Sequence, residues 1–314
     1  MITRRKTLHM TLAGAAGAVL GQDAPLSLPA PVASRVVDAH THFYDPTRPQ
    51  GVPWPGKGSA LYRPVYPKDW AAVAEKAGVR ETIVVESSPW PADNDWILNL
   101  AAKEKSIVGY IGHLLPGSGD FAKELKRLAA NPLFRGVRVT GDELRTNIGT
   151  PGFLEGAKLL AEMDLMLEVG GLEDLGAVAK FAEKVPALRV VLGCLGGPGN
   201  PQAPRPGWKE GIAAAAKARN VSCKVCAIAD YEGPAEGKAP TDTGFYLPVL
   251  NPVWEAFGEE RLMFGSNWPV CEKGTTYEAL VRLLGEFTQS RSKEASERFF
   301  WKNSRAICKW TERK

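Results

Sequence analysis

Imidazole and thiol are scarce in this chain, whose 314 residues hold four histidines and five cysteines. The cysteines, Cys194, Cys223, Cys226, Cys271 and Cys308, are odd in number and irregular in spacing. In a chain too long to need covalent staples, they imply no disulfide framework. Cys223 and Cys226 sit inside VSCKVCAIA, which reads as a strand. Odd spacing on a strand puts the two thiols on opposite faces, which favours two small packing residues over a zinc knuckle or redox pair. Charge of a single sign is missing too. With 39 basic and 35 acidic residues the net charge is +4, and no basic run concentrates it, which excludes a nucleic-acid footprint. No stretch approaches the roughly 18 consecutive apolar residues of a transmembrane helix. No G-x-G-x-x-G follows the first strand-like segment, which removes the usual case for a dinucleotide-binding open sheet.

The amino terminus is patterned. Arg4, Arg5 and Lys6 precede a mildly apolar, Gly/Ala-rich run over residues 10–20 and then a Pro/Ala-rich stretch. That order resembles a twin-arginine export signal over residues 1–33, with cleavage between Ala24 and Ala33. It implies a periplasmic or otherwise extracytoplasmic protein, with residues 34–314 as its body.

From Arg35 onward, β-branched runs alternate with helical patterns. Strands are expected over 36–42, 81–88, 106–114, 135–140, 164–170, 189–196, 220–228 and 261–269. Amphipathic segments over 69–77, 120–130, 152–163, 172–184 and 207–219 carry apolar residues three and four apart. Such alternation predicts an α/β fold, a single (β/α)8 TIM barrel, with extra helices over 277–288 and 294–310 closing the chain. Pro/Gly-rich loops over 44–67, 196–206 and 231–243 follow the first, sixth and seventh strands. In a barrel the loops after strands build the site, so the first one, with Trp54, Tyr62 and Tyr66, is expected to act as a lid, with Tyr62 against the substrate.

The first strand, VVDAHTHFYDP, holds two of the four histidines. Alternation places Asp38, His40 and His42 on one face and Val37, Ala39 and Thr41 on the other. Two imidazoles beside a carboxylate suit a divalent metal or a proton-transfer site.

Together with FGSNWPV on the eighth strand, the HxH pair makes the chain resemble the amidohydrolase-related family of metal-dependent hydrolases over nearly all of residues 36–310. The likeness is strongest to its branch of sugar-lactone and pyrone-dicarboxylate lactonases. His40 and His42 match that family's first-strand histidines. The sixth strand of the branch ends in aspartate-histidine-leucine-glycine, where this chain has Gly193-Cys194-Leu195-Gly196. The eighth reads FGSDWPV there and carries Asn267 here. An amide cannot accept the proton of an attacking water, so Asn267 is expected to orient that water, with Glu168 or His113 as the substitute base. The resemblance implies one divalent metal, zinc first; where the family's histidine is replaced, a Cys194 thiolate and the Glu168 carboxylate are the candidates to complete a set with His40 and His42. The same branch contains members that work without metal, so a metal-free site stays open. Arg138 matches a fourth-strand arginine that holds a substrate carboxylate, Trp268 is assigned to substrate binding, and Lys224 stands where the family often carries lysine, as part of the barrel. The expected reaction is water attack on the carbonyl of a lactone or similar cyclic ester of a small polar molecule. The alternative is a catalytically silent barrel that binds a sugar acid or a protein partner. Oligomeric state is not legible.

Overall fold

The computed structural model describes residues 31–171, 175–231 and 238–313; residues 1–30 of the expected export signal lie outside them. Eight parallel strands form one sheet in sequence order: β1 (Val37–Thr41), β2 (Glu81–Val85), β3 (Ile107–His113), β4 (Phe134–Thr140), β5 (Met166–Gly170), β6 (Arg189–Leu192), β7 (Val221–Val225) and β8 (Leu262–Phe264). The sheet closes on itself just beyond β8, where the Asn267 N–H donates to the His40 carbonyl and the His42 N–H to the Trp268 carbonyl, each at 2.8 Å. This is the (β/α)8 barrel that the alternation predicts. Helices Pro91–Lys103 after β2 and Leu247–Phe257 after β7 complete the ring beside those already expected.

Alternation along the strands sorts the core into two layers. Val37, Ala39, Ile83, Met166, Val191 and Met263 meet in an inner cluster. Val84, Val137, Leu167, Leu192, Val225 and Phe264 pack outward against the helices. Strands buried on both faces explain the nearly unbroken apolar runs, and each fully buried Val, Leu or Ile contributes about 1.5–3 kcal/mol. Cys308 and Trp310 of the terminal segment join the inner cluster, and the Thr311 N–H donates to the Val108 carbonyl near the start of β3. The extra carboxyl-terminal helix thus seals the amino end of the barrel, and function is left to the carboxyl end.

Two expectations change here. The β1–β2 register shifts between Asp38 and Thr41, so strict alternation fails inside the HxH strand. Val37 and Ala39 face the inner cluster, and Asp38 is parted from the imidazoles: its carboxylate accepts hydrogen bonds from Ser266 Oγ (2.5 Å), the Ser266 N–H (2.9 Å) and the Tyr277 hydroxyl (2.9 Å). Asp38 also accepts from the His40 backbone N–H at 3.0 Å, and it is a tie between β1, the β8 loop and helix Tyr277–Gln289 rather than a partner of the imidazoles. The second change concerns thiols. Cys194 and Cys226 form a disulfide across 32 positions of sequence. They lie just past β6 and β7, which are hydrogen-bonded neighbours, so sheet order joins what sequence spacing keeps apart. Cys223, Cys271 and Cys308 are free and buried, as packing residues should be.

Candidate functional site

At the carboxyl end, backbone strain gathers. Among non-glycine residues with positive φ, Cys194 (42°) follows β6, Ala227 (56°) follows β7 and Asn267 (60°) follows β8. Asparagine tolerates the left-handed region better than most residues. Such outliers cost of order 1–3 kcal/mol each and persist where surrounding structure holds them.

His40 and His42 bring their rings to 4.9 Å between centroids, edge to face. His40 is fully buried; its Nδ1 lies 3.4 Å from Glu168 Oε1 and 3.6 Å from Cys226 Sγ, and its Nε2 has no hydrogen-bond partner among the described residues. Burial pushes the imidazole down to about 4, with Glu168 opposing, so it is neutral near pH 7. His42 Nδ1 donates to the Val85 carbonyl at 3.0 Å. Because a carbonyl only accepts, that nitrogen carries the proton and Nε2 presents a lone pair. The lone pair faces Asn267 Oδ1 at 3.2 Å, while Asn267 Nδ2 donates to Asp230 Oδ2 at 2.7 Å. Two acceptors therefore confront each other. A protonated His42 would reconcile them, but burial, assisted by His40, holds that ring well below its ordinary value.

A cation reconciles them directly. His42 Nε2 and Asn267 Oδ1 face each other, and the unpartnered His40 Nε2 of the neighbouring ring is the further nitrogen available to complete a set suited to zinc or another borderline divalent ion. Glu168 and the Val85 carbonyl fix the far side of each ring, as second partners of metal-binding imidazoles do. The residues present fit a metal.

They are not the set expected from the sequence. Glu168 is taken by Lys224, whose Nζ lies 2.5 Å from Oε2, both side chains being sealed from solvent. Burial opposes ionisation of Glu168, yet the Lys224 ammonium, aided by His40, holds its carboxyl well below the usual carboxylate range. It is neither a free ligand nor a base. Cys194 is spent in the disulfide and offers no thiolate. His113, at the end of β3, turns its Nε2 toward Glu143 at 3.7 Å. Trp268 is buried against Phe43 at 6.0 Å, its indole N–H given to Glu272, which makes it a packing residue. Tyr62 is half-buried in the first loop and makes no side-chain hydrogen bond among the described residues.

Arg138 is well placed. Among the described residues its hydrogen bonds run only from Nη1 to the carbonyl and carboxylate of Glu86, at 3.4 and 3.5 Å. Its guanidinium packs against Gly170, where a Cβ would fall 2.5 Å from Nη2. Trp54 caps the site edge-on to His42 at 5.8 Å, beside a small cavity lined by Tyr44, Trp54, Glu86 and Ser88.

Sequence reasoning missed Asp230. Its Oδ1 is shut off from solvent and has no partner among the described residues, and burial pushes the carboxyl up to about 7, against the Asn267 hydrogen bond. No motif marks it, and only its place in the loop after β7 pointed there.

Residues 37–308 match the family model described as amidohydrolase. An L-fucono-1,5-lactonase of Burkholderia ambifaria is 27% identical over 242 residues, covering 74% of this chain and 80% of that protein. A second protein of that name, from Burkholderia multivorans, is 25% identical over 87% of this chain and 95% of its own. The crystal structure of a Burkholderia multivorans amidohydrolase with bound zinc superposes with a TM-score of 0.77 at 23% identity, over 88% of this chain and all of that one.

Proposed function

The chain belongs to the amidohydrolase family, in the lactonase branch, and from that premise we propose that this hydrolase opens a 1,5-lactone of a sugar acid, or a cyclic ester of similar size and polarity. The carrying observation is a facing pair of acceptors, His42 Nε2 and Asn267 Oδ1 at 3.2 Å, beside a His40 ring 4.9 Å away whose Nε2 has no hydrogen-bond partner among the described residues. A divalent metal held by His40, His42 and Asn267 would polarise the ring carbonyl and the attacking water. The similar structure with bound zinc supports that ion.

The chain's own groups account for the remaining requirements. Arg138 keeps guanidinium donors beyond those given to Glu86, and a planar fork of this kind recognises a carboxylate or paired hydroxyls. Asp230 Oδ1, enclosed and unpartnered, accepts the proton of the attacking water. Trp54 and its loop exclude bulk water and must be displaced to admit substrate. Water adds to the carbonyl carbon, the ring carbon–oxygen bond breaks, and the proton returns to the departing hydroxyl, which gives the open hydroxy acid.

Export is part of the same proposal. The twin-arginine pattern suits delivery to an oxidising compartment, where a disulfide such as Cys194–Cys226 persists.

The test is ring opening of L-fucono-1,5-lactone and related sugar lactones in 18O-labelled water. Catalysed opening with label in the new carboxylate supports the reading; rates equal to the uncatalysed background across the panel overturn it.

A further inference from the structure

Asn267 has two faces, and only one of them suits a cation. Its Nδ2 donates to Asp230 Oδ2 at 2.7 Å, which turns Oδ1 toward the His42 Nε2 lone pair. Turned over, the amide would set Nδ2 against His42, satisfying that nitrogen and placing N–H groups where a metal would sit. The choice between the two belongs to Asp230. Its Oδ2 accepts from the Nδ2 face at 2.7 Å and so leaves the amide oxygen pointing inward.

We propose that Asp230 is the positioning residue of a divalent-metal site, fixing the Asn267 amide so that its oxygen becomes a ligand beside His40 and His42. This rests on the reading of those three residues as donors given above and names what makes an uncharged eighth-strand residue serviceable. Asn267 and Asp230 together then do what a single carboxylate at position 267 would do, with the charge one residue further out. The positive φ of 60° at Asn267 is open to aspartate as well, so the charge can be moved between the two positions without new backbone strain.

The experiment is zinc binding by calorimetric titration, with thermal unfolding as a check on folding, in the full chain and in three variants. Asp230→Asn offers an amide that can donate to Asn267 Oδ1 and turn it away, and it is expected to weaken zinc binding at least tenfold while unfolding cooperatively. Asp230→Ala removes the anchor and is expected to weaken binding as well. The exchange Asn267→Asp with Asp230→Asn restores a carboxylate at the metal and is expected to return affinity to within about threefold of the natural chain. Zinc affinity unchanged in Asp230→Asn, no recovery in the exchange, or no zinc uptake by the natural chain would each overturn the proposal. Lactone opening is measured separately. A chain whose zinc affinity depends on Asp230 but which opens no lactone would retain this inference and lose the proposed function.

Discussion

Lys224 and Glu168, from β7 and β5, meet inside the barrel with Nζ 2.5 Å from Oε2 and neither side chain reached by solvent. The pair supports His40, whose Nδ1 lies 3.4 Å from the other carboxylate oxygen. Removing one member of a buried pair strands a charge, at a cost of about 3–5 kcal/mol, whereas removing both together is far milder. Lys224→Met is therefore expected to lower stability by that amount in urea unfolding, and Glu168→Gln with Lys224→Met to recover most of it. A double variant whose loss equals the sum of the two single losses would mean that the pair is not coupled.

The Cys194–Cys226 disulfide predicts a thiol count. Denatured without reductant, the protein should titrate three thiols, those of Cys223, Cys271 and Cys308, and after reduction all five. Replacing Cys194 and Cys226 by serine is expected to cost about 2–4 kcal/mol, the usual range for a closed loop of this size. Five thiols without reductant would remove the disulfide from the account.

Arg138 predicts a binding effect separable from folding. Its side chain is about one-quarter exposed (24%), so Arg138→Lys should leave the unfolding temperature nearly unchanged. Loss of the planar fork should raise KM for polar lactones about tenfold, with less change in kcat. Gly170→Ala, whose new methyl group would displace the guanidinium, should imitate it with Arg138 still present. A normal KM in both variants would show that the fork does not touch substrate.

Metal occupancy should appear as stability. A ligand bound only by the folded state adds about 4 kcal/mol at a thousandfold excess over its dissociation constant. Zinc added to chelator-treated protein should raise the unfolding temperature of the natural chain and leave that of the His40→Ala, His42→Ala variant unmoved. Equal shifts in both would place the metal elsewhere.

Much of this was legible in the residues, and the exceptions have physical causes. Eight apolar runs announce eight strands because each is buried on both faces, and the HxH pair announces the site because imidazoles are so few. Asp38 misled because the strand rule assumes unbroken register, and the shift between Asp38 and Thr41 breaks it. Cys194 read as a ligand because its partner Cys226 is brought near only by the adjacency of β6 and β7. Glu168 read as a free carboxylate because Lys224 turns inward to meet it, which a one-dimensional pattern does not reveal. Asp230 lay between the seventh strand and the Pro/Gly-rich loop that follows it, outside any periodic segment, and its importance arises from a single contact with Asn267.

The central claim is that the His40–His42 centre opens lactones, and initial rates on L-fucono-1,5-lactone test it most directly. The zinc-loaded natural chain should exceed background, and the His40→Ala, His42→Ala variant, folded to the same extent, should lose at least about a hundredfold, the scale of removing one preorganised stabilising group. Equal rates in the two proteins, whether fast or at background, would contradict the account.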